Sequence, residues 1–411
     1  MNLISTLRSC VSFLILFALC SISPAHEWTS SNGKFKIEAE FVAIKNGKVV
    51  LEKPDGSYIS VPLDQISKKD IEYIESLTGK KVDENGSSSE SDTPDNSKPK
   101  TIKLKGSKEG DPPGVVRDLG EQGWGVKSMA ISGDGAILVA GKSDQMVAVY
   151  DLNEGSRLNI TDRLEDLGPV DVIAISRDGK RVIAGGSKGL VKSWRLSPEG
   201  ALDEGVTFAG HSAAITSLAI SADGRFAMSG SADKTAKYWQ VDTGKEFESF
   251  GNFKRSVLGL WMSENGSEGK ATDGEALARI DLKTKKAVMT RVRESAAIQF
   301  AAFSPDGRYL AMNDTYAIRI WDIKTGKEKP ALKSNEIQWT GAFTPDGERM
   351  ISGASGILNV WEVKTQKRVG VLKNDSPGYI QALAVSPDGE HVAGCSSNSG
   401  TVLRLFRLPP K

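Results

Sequence analysis

Residues 215–240 read ITSLAISADGRFAMSGSADKTAKYWQ: a short apolar run, a Ser-Ala-Asp-Gly turn at 221–224, a second run, and a third ending in Tyr238-Trp239-Gln240. Asp-Gly between two apolar runs makes a tight hairpin, because Asp accepts turn geometry and Gly takes positive φ without strain. The same turn recurs along the chain with its Gly at 135, 179, 224, 266, 307, 347 and 389. The fourth copy reads Ser263-Glu264-Asn265-Gly266, and the sixth opens with Thr344. Successive spacings of 44, 45, 42, 41, 40 and 42 residues fall within the period of about 40–45 expected for four-stranded blades. The third runs end in Tyr150-Asp151, Trp194-Arg195, Trp239-Gln240, Ile280-Asp281, Trp321-Asp322, Trp361-Glu362 and Phe406-Arg407. Turns such as Asp242-Thr243-Gly244-Lys245 then lead to an outer strand. Seven antiparallel units of this kind predict an all-β fold, a seven-bladed β-propeller.

The two ends of the repeat array complement each other. The last unit stops at its third strand, residues 402–408, with Pro409-Pro410-Lys411 beyond it. Residues 114–119, GVVRDL, precede the first unit where every other unit has its outer strand. Pairing 115–119 with the last blade closes the ring and removes an exposed edge.

These residues resemble the WD-repeat family across 112–411. The third unit carries the fullest form of its pattern: Gly210-His211, Ser229, Asp233 and Trp239 stand where the family places a buried, hydrogen-bonded His-Ser-Asp-Trp set. The resemblance implies that this histidine is structural, so His, Ser and Asp in one repeat are not read as catalytic. Ala140 and Ala184 replace the serine in two units, and no other unit has Gly-His. Those blades are expected to rely more on apolar packing.

Ahead of the propeller the chain has three zones. Residues 1–25 read as a signal peptide: Arg8 is a positive start, 11–20 form an apolar run broken only by Ser12, and Ser23-Pro24-Ala25 offers a small-residue cleavage site after Ala25. The run is shorter than the roughly 20 residues a membrane span needs. Lipid attachment at Cys20 is disfavoured by Leu19 before it. The mature chain is expected to be exported (periplasmic, cell-envelope or secreted) in a bacterial-type protein, with no membrane span. Residues 81–111 contain no aromatic residue and are dominated by Ser, Asp, Glu, Lys and Pro, a composition that predicts a disordered linker.

Residues 26–80 form the remaining module. Phe35, Ile37, Ala39, Phe41 and Ala43 alternate at period two, as one face of a half-buried strand does. Further strands flank Asp55-Gly56, Ser67 with Asp70 marks a helix start close to a capping box, and Gly79 marks its stop. The stretch from Trp28-Thr29 through GKFKIEAEF at 33–41, KVVLEK at 48–53, Asp55-Gly56, Val61-Pro62-Leu63 and ISKKDIEYI at 66–74 resembles the first homology domain of the Sla-type endocytic adaptors. The resemblance implies a small SH3-like barrel that binds peptides containing Asn-Pro-Phe followed by an acidic residue. Such a groove needs an apolar pocket and a cation; the candidates are Lys36, Phe41, Lys53 and Tyr58. Because export does not suit a cytoplasmic endocytic role, peptide binding alone is carried over.

Composition narrows the function. The 411 residues carry 53 basic and 52 acidic groups, and removing 1–25 takes away Arg8 and leaves 52 of each sign. A neutral chain offers no electrostatic footprint for nucleic acid. Cys395 is the single cysteine beyond the signal segment, so no internal disulfide is expected. The three histidines are His26, His211 and His391. No His/Cys ligand spacing, phosphate loop, nucleophile elbow or dinucleotide fingerprint is present. An amino-terminal His26 after cleavage would need a second histidine to chelate copper, and its module lacks one. The expectation is a non-enzymatic scaffold without cofactor or metal, binding protein or peptide partners. Propeller-face candidates near the starts of first strands are Trp124, Arg255, Trp339 and Tyr379. Two alternatives stand beside it: a propeller enzyme or small-ligand binder acting on an exported substrate, and a structural component of the cell envelope.

Overall fold

The computed structural model describes residues 26–31, 36–45, 48–53, 58–78, 113–119, 125–292, 298–314, 316–374, 378–397 and 403–411. The expected signal segment, the expected linker, Trp124 and Gly79 lie outside the described residues. The chain divides into two compact units, Met1–Asp95 and Asn96–Lys411.

In the first unit, strands His26–Thr29, Lys36–Lys45, Lys48–Glu52 and Tyr58–Pro62 pair in sequence order as one antiparallel sheet. A short 3₁₀ turn, Leu63–Gln65, and the helix Lys68–Thr78 complete it. Trp28, Ala39, Val49, Leu51, Leu63, Ile66 and Ile74 form its core. Of the period-two face expected from Phe35 to Ala43, Ile37 is half-buried and Ala39 buried between exposed Lys36 and Glu38, whereas Phe35 and the side chains of Phe41 and Ala43 lie outside the described residues; the backbone register shifts between Phe41 and Ala43. Asp70 holds the unit together. It is buried and accepts hydrogen bonds from the Thr29 amide at 2.7 Å, the Ser67 hydroxyl at 2.7 Å and the His26 ring at 2.7 Å, so one carboxylate ties the first strand to the helix start. Burial pushes the Asp70 carboxyl up, but the bonds from Ser67, Thr29 and His26 outweigh it and hold the group below its ordinary value.

The second unit is a ring of seven four-stranded blades. Blade 1 comprises Val126–Ile131, Ile137–Lys142, Val147–Asp151 and Ser156–Ile160. Blades 2 to 7 begin at Val170–Ile175, Ile215–Ile220, Gly259–Met262, Ala301–Phe303, Thr340–Phe343 and Ile380–Val385. The outer strand of blade 5 is split into Lys327–Glu328 and Leu332–Lys333 around Pro330, which has no N–H to give the ladder.

The second strand of blade 1 is buried on both faces because it packs against two neighbours. Leu138 and Ala140 join a cluster with Ala393, Cys395 and Leu405 of blade 7, whereas Val139 joins one with Val170, Ile173 and Val182 of blade 2. Comparable clusters lie between every successive pair of blades, and the one joining blade 7 to blade 1 closes the circuit.

The closure is a strand exchange between the ends of the domain. Gly114–Asp118 pairs antiparallel with Leu403–Arg407, the third strand of blade 7. The Leu119 amide donates to the Leu403 carbonyl at 2.7 Å, and Leu119 is buried in the cluster between blades 7 and 1. Arg404 Nε donates to Asp118 Oδ1 at 2.8 Å, and Arg117 donates to the Leu152 carbonyl of blade 1 at 3.3 Å.

Candidate functional site

The hairpins joining first and second strands all use one device. In blade 3, the buried Ser221 hydroxyl donates to Asp223 Oδ1 at 2.6 Å and accepts the Phe226 amide at 3.0 Å, while Asp223 accepts the Arg225 amide at 3.1 Å. The same three bonds recur from Ser132, Ser176, Ser263, Ser304, Thr344 and Ser386. The glycine that follows has φ between 64° and 74° in all seven copies, a region that disfavours a Cβ. This face of the ring is repetitive because it is structural.

Between second and third strands, buried polar groups in blades 3 to 6 tie the turn to the loop leading into the blade. In blade 3, His211 Nδ1 faces Asp233 Oδ2 at 2.8 Å and Nε2 faces Ser229 Oγ at 2.8 Å. Asp233 can only accept, so Nδ1 carries a proton; with burial keeping the ring neutral, Nε2 then accepts the Ser229 hydroxyl. Burial pushes the His211 pKa down, opposed by Asp233. The expected four-residue set is corrected in one member: Trp239 Nε1 makes no hydrogen bond among the described residues, and its ring stacks on Phe208 with centroids 5.0 Å apart.

The expectation that the other blades rely on apolar packing fails in three of them. In blade 6, Gln338 replaces the imidazole: Ser352 Oγ donates to Gln338 Oε1 at 2.6 Å, and Trp361 Nε1 donates to Ser352 Oγ at 2.9 Å. In blade 5, Asn313 Oδ1 accepts the amides of Gln299 and Phe300 at 2.7 and 3.1 Å. In blade 4, Asp273 accepts the amides of Lys254 and Arg255 at 2.9 and 3.3 Å.

The candidate site is the opposite, channel-mouth face, where the first strands converge. The residue five before each hairpin Ser or Thr is Lys127, Asp171, Thr216, Leu258, Gln299, Trp339 or Gln381, and none of these is buried. In blades 1, 2, 3 and 7 it is the residue skipped by a register shift, which turns its side chain out of the pairing pattern. Contacts run from blade to blade at this level. Lys127 Nζ lies 3.6 Å from Asp171, Thr216 Oγ1 donates to the Val257 carbonyl at 2.6 Å, and Gln381 Nε2 donates to the Val126 carbonyl at 2.7 Å. Trp339 stacks on Tyr379 with centroids 4.4 Å apart. Burial pushes the Asp171 carboxyl up, with Lys127 opposing.

Of the face candidates drawn from the sequence, the structure therefore joins Trp339 and Tyr379, the latter 39% exposed. Arg255 is exposed on the loop before blade 4. The mouth ring itself was missed; aligning the seven repeats on their hairpin serine would have found it. A separate cleft of about 640 Å³ lies on the hairpin side of blades 1 and 2, lined by Asp134, Asp151, Asp178, Lys180, Arg181 and Arg195 among others.

In the small module, Lys36 is exposed and ion-paired with Glu27 at 2.8 Å, and Lys53 is half-buried after the third strand. Phe41 and Tyr58 pair with Leu51 and Glu52 through their backbones, and their side chains lie outside the described residues.

Comparison with known proteins agrees with both modules. Residues 22–82 match the family model "SLA1 homology domain 1, SHD1", and residues 115–151 and 203–240 match "WD domain, G-beta repeat". The chain thus carries an SLA1 homology domain 1 together with WD repeats on a seven-bladed propeller, modules of protein interaction. It is similar to the actin cytoskeleton-regulatory complex protein sla1 of Schizosaccharomyces pombe, 47% identical over 60 residues, 15% of this chain and 4% of that protein. It is similar to mitochondrial division protein 1 of Saccharomyces cerevisiae, 24% identical over 217 residues, 49% of this chain and 27% of that protein. It is also similar to the LEC14B protein of Lithospermum erythrorhizon, 31% identical over 131 residues, 30% of this chain and 26% of that protein. The chain therefore spans between 4% and 27% of the length of these relatives. The sla1 proteins are fungal, so the relatives lend no support to an exported, bacterial-type origin.

Proposed function

We propose that the protein is a two-module scaffold whose principal partner, a protein or peptide, binds at the propeller's channel mouth. The observation that carries this is the contrast between the two faces. One repeats a single hairpin seven times, whereas the other presents a cation, an acid, a hydroxyl, a leucine, two amides and a tryptophan from equivalent positions, with Tyr379 stacked on the tryptophan. A ring of unlike groups in one plane reads one partner sequence; a repeated ring cannot. The Trp339–Tyr379 pair supplies the large apolar contact area that dominates interface energetics. Partner capture from cell extract by the full chain and by a Trp339→Ala/Tyr379→Ala variant tests this. Loss of the captured partner with an unchanged melting temperature supports the reading, and equal capture sinks it.

The small module is assigned peptides with Asn-Pro-Phe followed by an acidic residue, on its likeness to the SLA1 homology domain. Lys36 and Lys53 would meet the acid. A synthetic peptide of that kind should bind the full chain, and binding should fall in Lys36→Glu/Lys53→Glu. Tethering both sites in one chain raises the effective concentration of the second for a bivalent partner. Export rests on residues 1–25, and amino-terminal sequencing of the mature protein tests it: His26 at the terminus is the expected result.

A further inference from the structure

The three histidines are treated differently by the fold. His26 is engaged by Asp70, and His211 by Asp233 and Ser229. His391 is 2% exposed, yet neither of its ring nitrogens makes a hydrogen bond among the described residues. Leaving a buried polar group without such a bond is costly, so the position suits a ligand. Two carboxylates face it. Asp388 Oδ2 lies 3.6 Å from His391 Nδ1, with the Asp388 side chain 4% exposed. Glu390 stands open to solvent, and one donor atom from each of the three residues falls within 4.8 Å of the others.

Blade 6 has the same hairpin and shows what such a carboxylate pair takes up. Asp346-Gly347-Glu348-Arg349 there corresponds to Asp388-Gly389-Glu390-His391 in blade 7. In blade 6 a cation bridges the acids: Lys411 Nζ pairs with Asp346 and, at 3.2 Å, with Glu348. Arg349 is directed away, donating to the carbonyls of Pro409 and Pro410 at 2.6 and 2.8 Å. Blade 7 puts an imidazole, a metal-binding nitrogen, against its pair.

We propose that Asp388, Glu390 and His391 form a binding site for a borderline divalent transition metal of the zinc class. One imidazole nitrogen and two carboxylate oxygens make a three-ligand set that leaves a fourth position to water. Calcium would want six or more oxygens, and magnesium rarely takes nitrogen. With bonds of about 2.0 Å, ligand atoms around a tetrahedral zinc are about 3.3 Å apart. The His391–Asp388 separation is close to that already, and exposed Glu390 can swing in. Asp388 Oδ1 accepts the Ser386 hydroxyl and the Glu390 amide, and Oδ2, the oxygen that faces His391 Nδ1 at 3.6 Å, is the ligand. A metal here would pin the hairpin of the blade that closes the ring. The proposal departs from the sequence expectation of no metal, because three ligands within four residues of a turn match no familiar spacing pattern.

The test uses the full chain, stripped with chelator and titrated with Zn²⁺, and with Co²⁺ as a coloured substitute. The expected result is one ion per chain, four-coordinate Co²⁺ visible bands, and a melting temperature raised by metal. His391→Gln should abolish stoichiometric binding. Glu390→Gln should weaken it by more than about tenfold, the loss that even an outer-sphere partner can produce. Should His391→Gln fail to fold, imidazole NMR of the unmodified chain still decides, since metal must shift the His391 signals. No ion retained, binding that survives His391→Gln, or shifts confined to His26 would overturn the proposal.

Discussion

Leu119→Ala probes ring closure with the least disturbance. Leu119 is 3% exposed and lies in the cluster with Val126, Leu138, Tyr150, Leu403 and Leu405, where the chain's two ends meet. Truncating a buried leucine costs about 2–5 kcal/mol, and a value near 3 kcal/mol is expected because the backbone pairing at 114–118 remains to limit collapse. Asp118→Asn should cost less than about 1 kcal/mol, since Asp118 is 54% exposed in its pair with Arg404 and such pairs are weak. Deleting 113–119 removes both contributions together with the backbone bonds to Leu403–Arg407, each worth about 0.5–1.5 kcal/mol net. The sum approaches or exceeds about 5 kcal/mol, the lower end of a whole domain's stability. The assay is urea unfolding of the full chain followed by tryptophan fluorescence, which reports the propeller because seven of the eight tryptophans follow residue 96. The order deletion, Leu119→Ala, Asp118→Asn must appear in the midpoints. A Leu119→Ala midpoint equal to the parent's, or a deletion that leaves the Leu403–Arg407 amides protected from exchange, refutes the closure.

The polar networks give three further expectations. Trp361→Phe should cost about 1 kcal/mol more than Trp239→Phe, because only Trp361 loses an indole bond, to Ser352; equal losses by urea denaturation would show that the difference between the two blades has no energetic weight. His211 has a depressed pKa, so the unfolded chain binds its proton first as pH falls below about 6.5. Stability should then decline with a slope of at most about 1.4 kcal/mol per pH unit, and Asp233, also depressed, adds a loss below about pH 4. His211→Gln should flatten the slope between about pH 6.5 and 5, and an unchanged difference curve would rule out the neutral ring. Ser221→Ala should cost about 1–3 kcal/mol by leaving the Phe226 amide without its acceptor; a loss near zero in thermal unfolding would mean that the Asp-Gly turn suffices alone.

Most of the fold was legible because hairpin chemistry is local. The Asp-Gly turns and their spacing identify the blades, and a last unit that stops at its third strand, 402–408, identifies residues 114–118 as its outer strand. Contacts set by tertiary proximity were not legible. Gln338 Oε1 accepts the Ser352 hydroxyl and the Asn359 side-chain amide from 14 and 21 positions away, and an amide standing for an imidazole leaves no pattern. Asp70 read as a helix cap but also holds Thr29 and His26, which arrive from a strand 41 and 44 residues earlier. The hairpin serine is legible as part of a turn, but the acceptor role of its hydroxyl is not, because it depends on the amide five residues on. At the mouth, Trp339 and Tyr379 were picked as aromatic residues near first strands, but their stacking required the packing of blade 6 on blade 7.

The most direct test of the scaffold account places a photo-cross-linking residue at Leu258 or Gln299 in the mouth ring, and separately at Lys286 on the exposed outer strand of blade 4. Irradiation in cells followed by analysis of adducts should give a protein partner from the mouth positions and none from the outer strand. Adducts confined to the outer strand, or absent at the mouth while the protein remains folded, would contradict it.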